Sequence, residues 1–404
     1  MAEPLKLYTL EESPNISPIT KQDVYDTIST SLNMGNNRIS PSGIVSRNVV
    51  LGQKTFYIAP SDEGAIQRAI NILSQKGGGT LHLTAGTYNV ATDTIITVPS
   101  NINIVGDSAS LTIIDFLDTS SQLSLIGSNA YSTGTVSITN SDTAVVGVNT
   151  VWTSAMVGRK ILLQDFWYTI DTFVDTTNIT IKIDEPYIGT TLSGSVYVIA
   201  TPIESTSIKN ITFKNSVLPP IDTQYFNNVV IENVYFFTCT NSIYATDGSA
   251  LQILGCLADT GTLSISPLRC HAGIIFNTKN IATAVGFSAL ADSAFYLESC
   301  RNWSIVGCST EGSLGSGFVF DACTDIRLSS STIASALLDG VTLVGASTGI
   351  IITGNSIKSN TEYGVTIPAA SSDNIVSNNV ITSNTLGQIT DTGTSTVVIG
   401  NVGV

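Results

Sequence analysis

Two carboxylates, Glu298 and Asp321, stand 23 residues apart in a stretch where short apolar phrases recur at nearly the same interval. The phrases GIIFNT, AFYLESC, GFVFDAC, GVTLVGA and GVTIPAA carry an apolar marker at Phe276, Leu297, Phe320, Leu343 and Ile367. One residue past each marker come Asn277, Glu298, Asp321, Val344 and Pro368. If successive phrases stack, these residues form one outward file, and Glu298 and Asp321 become neighbours on adjacent strands about 4.8 Å apart. Carboxyl groups roughly 5 Å apart suit a retaining glycosidase, and a wider gap suits inversion. Like charges that close split their proton affinities, which leaves one acid and one base. The competing readings are two solvated surface carboxylates or a bound cation. Beside the pair, Tyr296 would offer a platform for a sugar ring, Asn277 a hydrogen-bonding amide and Arg301 a counter-ion.

Other chemistry-bearing residues are sparse. The two histidines are His82 and His271, and neither lies near a nucleophile elbow. The six cysteines include no CxxC pair, so neither a zinc site nor a disulfide scaffold is indicated. No metal and no cofactor are expected. His271 and Asp292 both fall five residues before a marker and would meet at a turn, as a pH-sensitive pair or as a solvated corner. Trp152 and Trp167 could stack on sugars or fill a core.

The elements that must position these residues come from the repeat itself. A second series of phrases, KNITFKN, NVVIENV, ALQILGC, NWSIVGC, DIRLSSS, GIIITGN, NIVSNNV and TVVIGNV, runs in phase with the first. Its markers are Phe213, Ile231, Ile253, Ile305, Leu328, Ile352, Val376 and Val398, with Thr283 filling the gap after Ile253. Two strand series at one shared period predict a coil that returns to the same place every turn, a parallel β-helix with one rung per repeat. Three residues past the later markers stand Asn355, Asn379 and Asn401, which predicts a stacked amide ladder in one turn. Cys256 and Cys308 share one column and Cys300 and Cys323 another, as small buried hydrophobes rather than disulfides.

Composition bounds the partners. With 17 basic and 31 acidic residues the net charge is −14, and only 12% of residues are charged against 43% hydrophobic. Disorder is excluded, and so is an electrostatic nucleic-acid binder, which needs cations to displace counterions. No apolar run reaches membrane-spanning length, and the first residues lack the pattern of a secretion signal. The negative field disfavours an anionic glycan substrate.

Ahead of the repeats, Ala65, Ile66, Ala69, Ile70 and Leu73 follow helical spacing, with Ser61, Asp62 and Glu63 at the start and Gly77–Gly79 at the end. This amphipathic helix is placed to cover the open end of the first coil. The phrases AIQRAINILSQKGGGTLHLTAGTY, NINIVGD and LTIID resemble the opening of the pectate-lyase-like β-helix superfamily, and within it the tailspikes and tail fibres of bacteriophages. The resemblance covers about 56–126 and 200–404. It implies a virion receptor-binding role, often as a homotrimer and sometimes with glycan-degrading activity. The calcium-binding aspartate cluster of pectate lyases and the catalytic motifs of polygalacturonases have no counterpart here; RCHAG around His271 is a faint echo.

The expected architecture is all-β: a right-handed single-stranded parallel β-helix with an N-terminal capping α-helix and a small inserted β-barrel or sandwich. Residues 1–50 form an attachment or linker segment, 51–127 the cap and first rungs, 128–200 the inserted module and 201–404 the remaining rungs. The outward file Arg327, Ile351, Ile375 and Val397 is increasingly apolar, which predicts self-association, most simply as a parallel trimer. The leading expectation is a phage tail appendage that binds a host-surface polysaccharide, joined to other virion proteins through residues 1–50 and located on the virion tail. A glycoside hydrolase using Glu298 and Asp321, rather than a lyase, is the second reading. A purely structural virion protein is the third.

Overall fold

The computed structural model describes residues 55–60, 64–90, 94–239, 241–259, 265–281 and 293–403. The 1–50 segment lies outside the described residues, as do Ser61, Asp62, Glu63, Thr283 and Asp292.

Alternating apolar residues on short strands leave each strand with one face that a single hairpin cannot bury. The chain solves this by coiling, so each strand pairs in parallel with its counterparts one turn before and one turn after. One inward file runs Phe56, Leu81, Ile104, Ile208, Ile231, Ile253, Ile275, Ile305, Leu328, Ile352, Val376 and Val398, each the register partner of the next. From Leu81 to Val376 every member is at most 1% exposed. A second file holds Leu297, Phe320 and Leu343 in register, all buried. A third face is a ten-stranded sheet carrying Tyr88, Ile114, Phe213, Phe236 and Ala258 inward. Burying each large aliphatic or aromatic side chain contributes about 1.5–3 kcal/mol, so the stack of rungs is itself the core.

Two assignments made from the sequence move. Phe213 belongs to the third sheet, stacked between Ile114 and Phe236, and the first file takes Ile208 in its place. The gap after Ile253 is filled by Ile275 of the phrase GIIFNT, not by Thr283. That phrase therefore belongs to the first series, because an apolar alternation fits either face equally well. Its marker Phe276 points outward, half exposed, and pairs with Val306.

The corner between the first file and the third sheet is turned on a single residue per rung. Asn210, Asn233, Gly255, Asn277, Gly307, Gly354, Asn378 and Gly400 all have φ between 47° and 67°. Only glycine or a residue tolerant of the left-handed region serves there without strain, and asparagine is the usual alternative. Just beyond this corner the predicted ladder forms. Asn355 Nδ2 donates to Asn379 Oδ1 at 3.0 Å, and Asn379 Nδ2 donates to Asn401 Oδ1 at 3.0 Å. Lower in the same column, the backbone N–H of Ser331 donates to Asn355 Oδ1 and that of Cys308 to Ser331 Oγ. All six cysteines are free and buried.

The helix Ala65–Gln75 buries Ile66, Ala69, Ile70 and Leu73 in the same core and packs on the strands Thr55–Ile58 and Gly79–Leu83. Gly64 precedes it without a side-chain cap, and the Gly78 N–H closes its last turn on the Leu73 carbonyl. Between Ile126 and Ile203 the chain leaves the rungs and builds an eight-stranded antiparallel sheet around its own core of Val136, Trp152, Ile161, Ile170 and Tyr187. Trp167, Leu162, Val198 and Ala200 attach it to the rungs beside Tyr225, and the Trp167 indole N–H donates to the Phe226 carbonyl at 2.8 Å.

Candidate functional site: a cleft between the antiparallel sheet and the rungs

Glu298 and Asp321 end the strands Phe295–Glu298 and Phe318–Asp321 and are direct register partners. Both are half-buried. The Tyr296 hydroxyl donates to Asp321 Oδ2 at 2.9 Å. Burial, then that hydrogen bond and the charges of Asp321 and Glu298, push the Tyr296 proton affinity well above its ordinary value. Tyr296 is thus a donor that fixes the Asp321 carboxylate. Leu268 lies below Glu298 and Val344 above Asp321, so the file holds two carboxylates between apolar neighbours.

Asn277 is not in that file. It occupies the one-residue corner described above, with φ of 47°, and its N–H donates to the Val306 carbonyl. Its residue type follows from backbone conformation, and the sequence reading that set it beside Glu298 is corrected: a misplaced phrase carried it to the wrong face.

Arg301 and His271 are register partners on adjacent rungs and meet a residue that no periodicity could announce. Asp165, from the antiparallel sheet, places Oδ1 3.7 Å from His271 Nδ1 and 3.8 Å from Arg301 Nε. Its Oδ2 accepts a hydrogen bond from Asn302 Nδ2. Burial raises the Asp165 proton affinity, with Arg301 and Asn302 working against that rise. Burial, and then the Arg301 charge, push His271 down to about 4, so its imidazole is neutral at physiological pH. Asp165 Oδ1 and His271 Nδ1 are both buried without a hydrogen-bond partner. On the strand of His271, Arg269 forms a two-pronged pair with Asp247 of the rung below, at 2.6 and 2.7 Å. Asp247, Arg269, His271 and Arg301 floor a cavity of about 790 Å³, walled on one side by Leu162, Gln164, Thr190, Leu192, Ser195, Val196, Tyr197 and Val198 around the antiparallel sheet and on the other by Tyr225, Ser299 and Thr324 of the rungs, with Asp165 set behind Arg301 and His271. Ser299 and Ala322, the residues after Glu298 and Asp321, also line it, which puts the acid pair at the cavity's edge. Among the described residues no group of His, Cys, Asp and Glu is arranged to hold a metal ion.

Residues 264–402 match the family model described as "Right handed beta helix region". That match joins the parallel register of the rungs to a known architecture. The described rungs form a parallel β-helix, right-handed over the residues this family model matches. No curated protein matches its sequence. Among solved structures, this β-helix is similar to the A-module of the Azotobacter vinelandii mannuronan C-5 epimerase AlgE6, at 15% identity and a TM-score of 0.52, over 83% of this chain and 75% of that one. It is also similar to the tailspike gp61 of Pseudomonas phage phi297, at 13% identity and a TM-score of 0.45, over 84% and 67%. A third is the tailspike of E. coli bacteriophage HK620 in complex with a pentasaccharide, at 12% identity and a TM-score of 0.47, over 98% and 68%. At such identity the likeness to the epimerase module speaks for the fold alone.

In this β-helix neither tryptophan of the antiparallel sheet is free to bind a sugar. Trp152 is fully buried with its N–H on the Tyr197 hydroxyl, and Trp167 is the anchor to the rungs. Trp303 is core and donates to the Cys270 carbonyl. No helix among the described residues is long and apolar enough to cross a membrane.

Proposed function

We propose that this protein is a bacteriophage tail appendage that binds a host-surface glycan against the side of its β-helix, in the cleft floored by Arg269, His271 and Arg301. The observation that carries the reading is that cleft: a large cavity lined by the hydroxyls of Thr190, Ser195 and Thr324, the Gln164 amide, the Tyr197 and Tyr225 phenols and two arginines, beside the aliphatic Leu162, Leu192, Val196 and Val198. Sugars are recognised by such convergent polar groups set beside aromatic faces. In this reading residues 1–50 attach the protein to other tail proteins and the helix Ala65–Gln75 caps the first rung. Self-association uses the outward file of Ile351, Ile375 and Val397, which are register partners, the last of them 49% exposed.

The register of Glu298 with Asp321, at the edge of the same cleft, favours hydrolysis of the bound glycan as a second reading. One assay separates the two. The protein is incubated with host-surface polysaccharide, and both retention of the polymer and release of reducing ends are measured. Retention without release supports a binding protein. Release that disappears in Glu298→Gln and in Asp321→Asn supports the hydrolase. Neither retention nor release refutes both and leaves a structural role.

A further inference from the structure

The cleft carries two guanidinium groups, which by themselves would suit an acidic ligand, yet each is already matched by a carboxylate. Asp247 takes Arg269 with both oxygens, and the buried Asp165 stands 3.8 Å from Arg301 Nε, behind the cavity surface. The third basic group, His271, is neutral because it is buried beside Arg301. The floor therefore presents donors and acceptors with no net charge, within a protein of net charge −14. An incoming carboxylate would meet Asp247 as well as the guanidiniums, would find the Arg301 charge already offset by Asp165 behind it, and would be repelled by the field of the whole molecule. An uncharged saccharide meets neither obstacle. Its hydroxyls can donate to carboxylates and accept from guanidinium N–H groups. His271 Nδ1, buried and unpartnered on the cavity floor, shows that the polar groups there are not yet satisfied by the protein alone.

We infer that this cleft selects uncharged saccharides, and that Asp165 and Asp247 set the selectivity by neutralising Arg301 and Arg269 in advance. The inference rests on the glycan-binding reading and names the ligand class. It also gives the contact between the antiparallel sheet and the rungs a role in recognition: Asp165 reaches the site only because that sheet is docked there.

The test uses the full chain on a printed array of bacterial surface polysaccharides, sorted by whether they contain uronic or sialic acids. Wild type is expected to bind members without acidic sugars. Asp165→Asn and Asp247→Asn, each nearly isosteric and each exposing one guanidinium, are expected to lose about tenfold or more on those members and to gain binding to acidic ones. A purely structural role for the two aspartates would not produce that gain. If Asp165→Asn does not fold, as read from its circular dichroism, Asp247→Asn carries the same test from within the rungs. Wild-type binding concentrated on acidic members overturns the inference and leaves glycan binding standing. Variants that keep the wild-type profile overturn the role of the aspartates. Binding to no member overturns the glycan reading and this inference with it.

Discussion

The amide ladder makes a quantitative prediction, because its middle and its end differ in burial and in the number of hydrogen bonds they make. Asn379 is fully buried and engaged on both sides. Its Oδ1 accepts from the Asn355 N–H at 2.9 Å and from Asn355 Nδ2 at 3.0 Å, and its Nδ2 donates to the Ile352 carbonyl at 2.9 Å and to Asn401 Oδ1 at 3.0 Å. Asn379→Ala removes four hydrogen bonds and strands the Asn355 N–H where water does not reach. At about 1 kcal/mol net per bond, with the stranded buried group adding more, the cost is about 4–6 kcal/mol. Asn401 makes three comparable bonds, to Asn379 and to the Val376 carbonyl, but is partly exposed, so water can replace its side chain. Asn401→Ala is expected to cost about 1–2 kcal/mol. Urea unfolding followed by circular dichroism, with hydrogen exchange at the Asn355 amide, measures both. Equal losses for the two variants, or an Asn355 amide that stays protected in Asn379→Ala, would refute the claim that stacked amides hold this turn.

Two further predictions concern titration and thiols. His271 ordinarily titrates near 6.5 but is pushed to about 4 in the fold, so between those values the unfolded chain binds a proton that the folded one does not. Its contribution is intact above pH 6.5 and is lost as pH falls, by about 3 kcal/mol at pH 4, while Asp165, whose affinity is raised, works in the opposite direction. Denaturation midpoints at pH 7, 5.5 and 4 are expected to fall less steeply in His271→Gln than in wild type; parallel declines would remove His271 as the source. Burial pushes Cys256 and Cys270 up to about 12, and all six thiols are buried and free, so a thiol reagent should label none in the native protein and six after unfolding. Rapid labelling of any cysteine in the native state would show that its rung opens.

The period was legible in the sequence because each rung must repeat the same burial pattern, and the stacking of Leu297, Phe320 and Leu343 follows from that requirement alone. Which face a phrase belongs to was less legible. GIIFNT alternates like its neighbours on either sheet, so Phe276 and Asn277 were set one face away from where Ile275 actually stacks. The corner conformation held a usable signal: Asn277 falls in a series with Gly255 and Gly307, residues of the left-handed turn. Asp165 had no such signal. It meets His271 and Arg301 across more than a hundred residues, and nothing in its own surroundings carries the period of the rungs. Arg301 was legible as a charged neighbour of Glu298, but its carboxylate partner comes from the antiparallel sheet.

The one-residue corner has a consequence for how such a molecule can be diversified. From Asn210 to Asn378 its asparagines and glycines donate their N–H to a carbonyl of the next rung, so an insertion there must leave that bond in place to keep the rungs aligned. The corner leading back into the first file is turned on single left-handed residues too, at Tyr225, Asp247, Arg269, Ser299 and Ala322, yet between Ile126 and Ile203 a complete antiparallel sheet has been spliced in there, and Ile104 and Ile208 on either side still meet in register. Foreign recognition loops engineered into this scaffold belong at the corner that already hosts the splice, because the rungs on either side of it keep their register across 76 inserted residues.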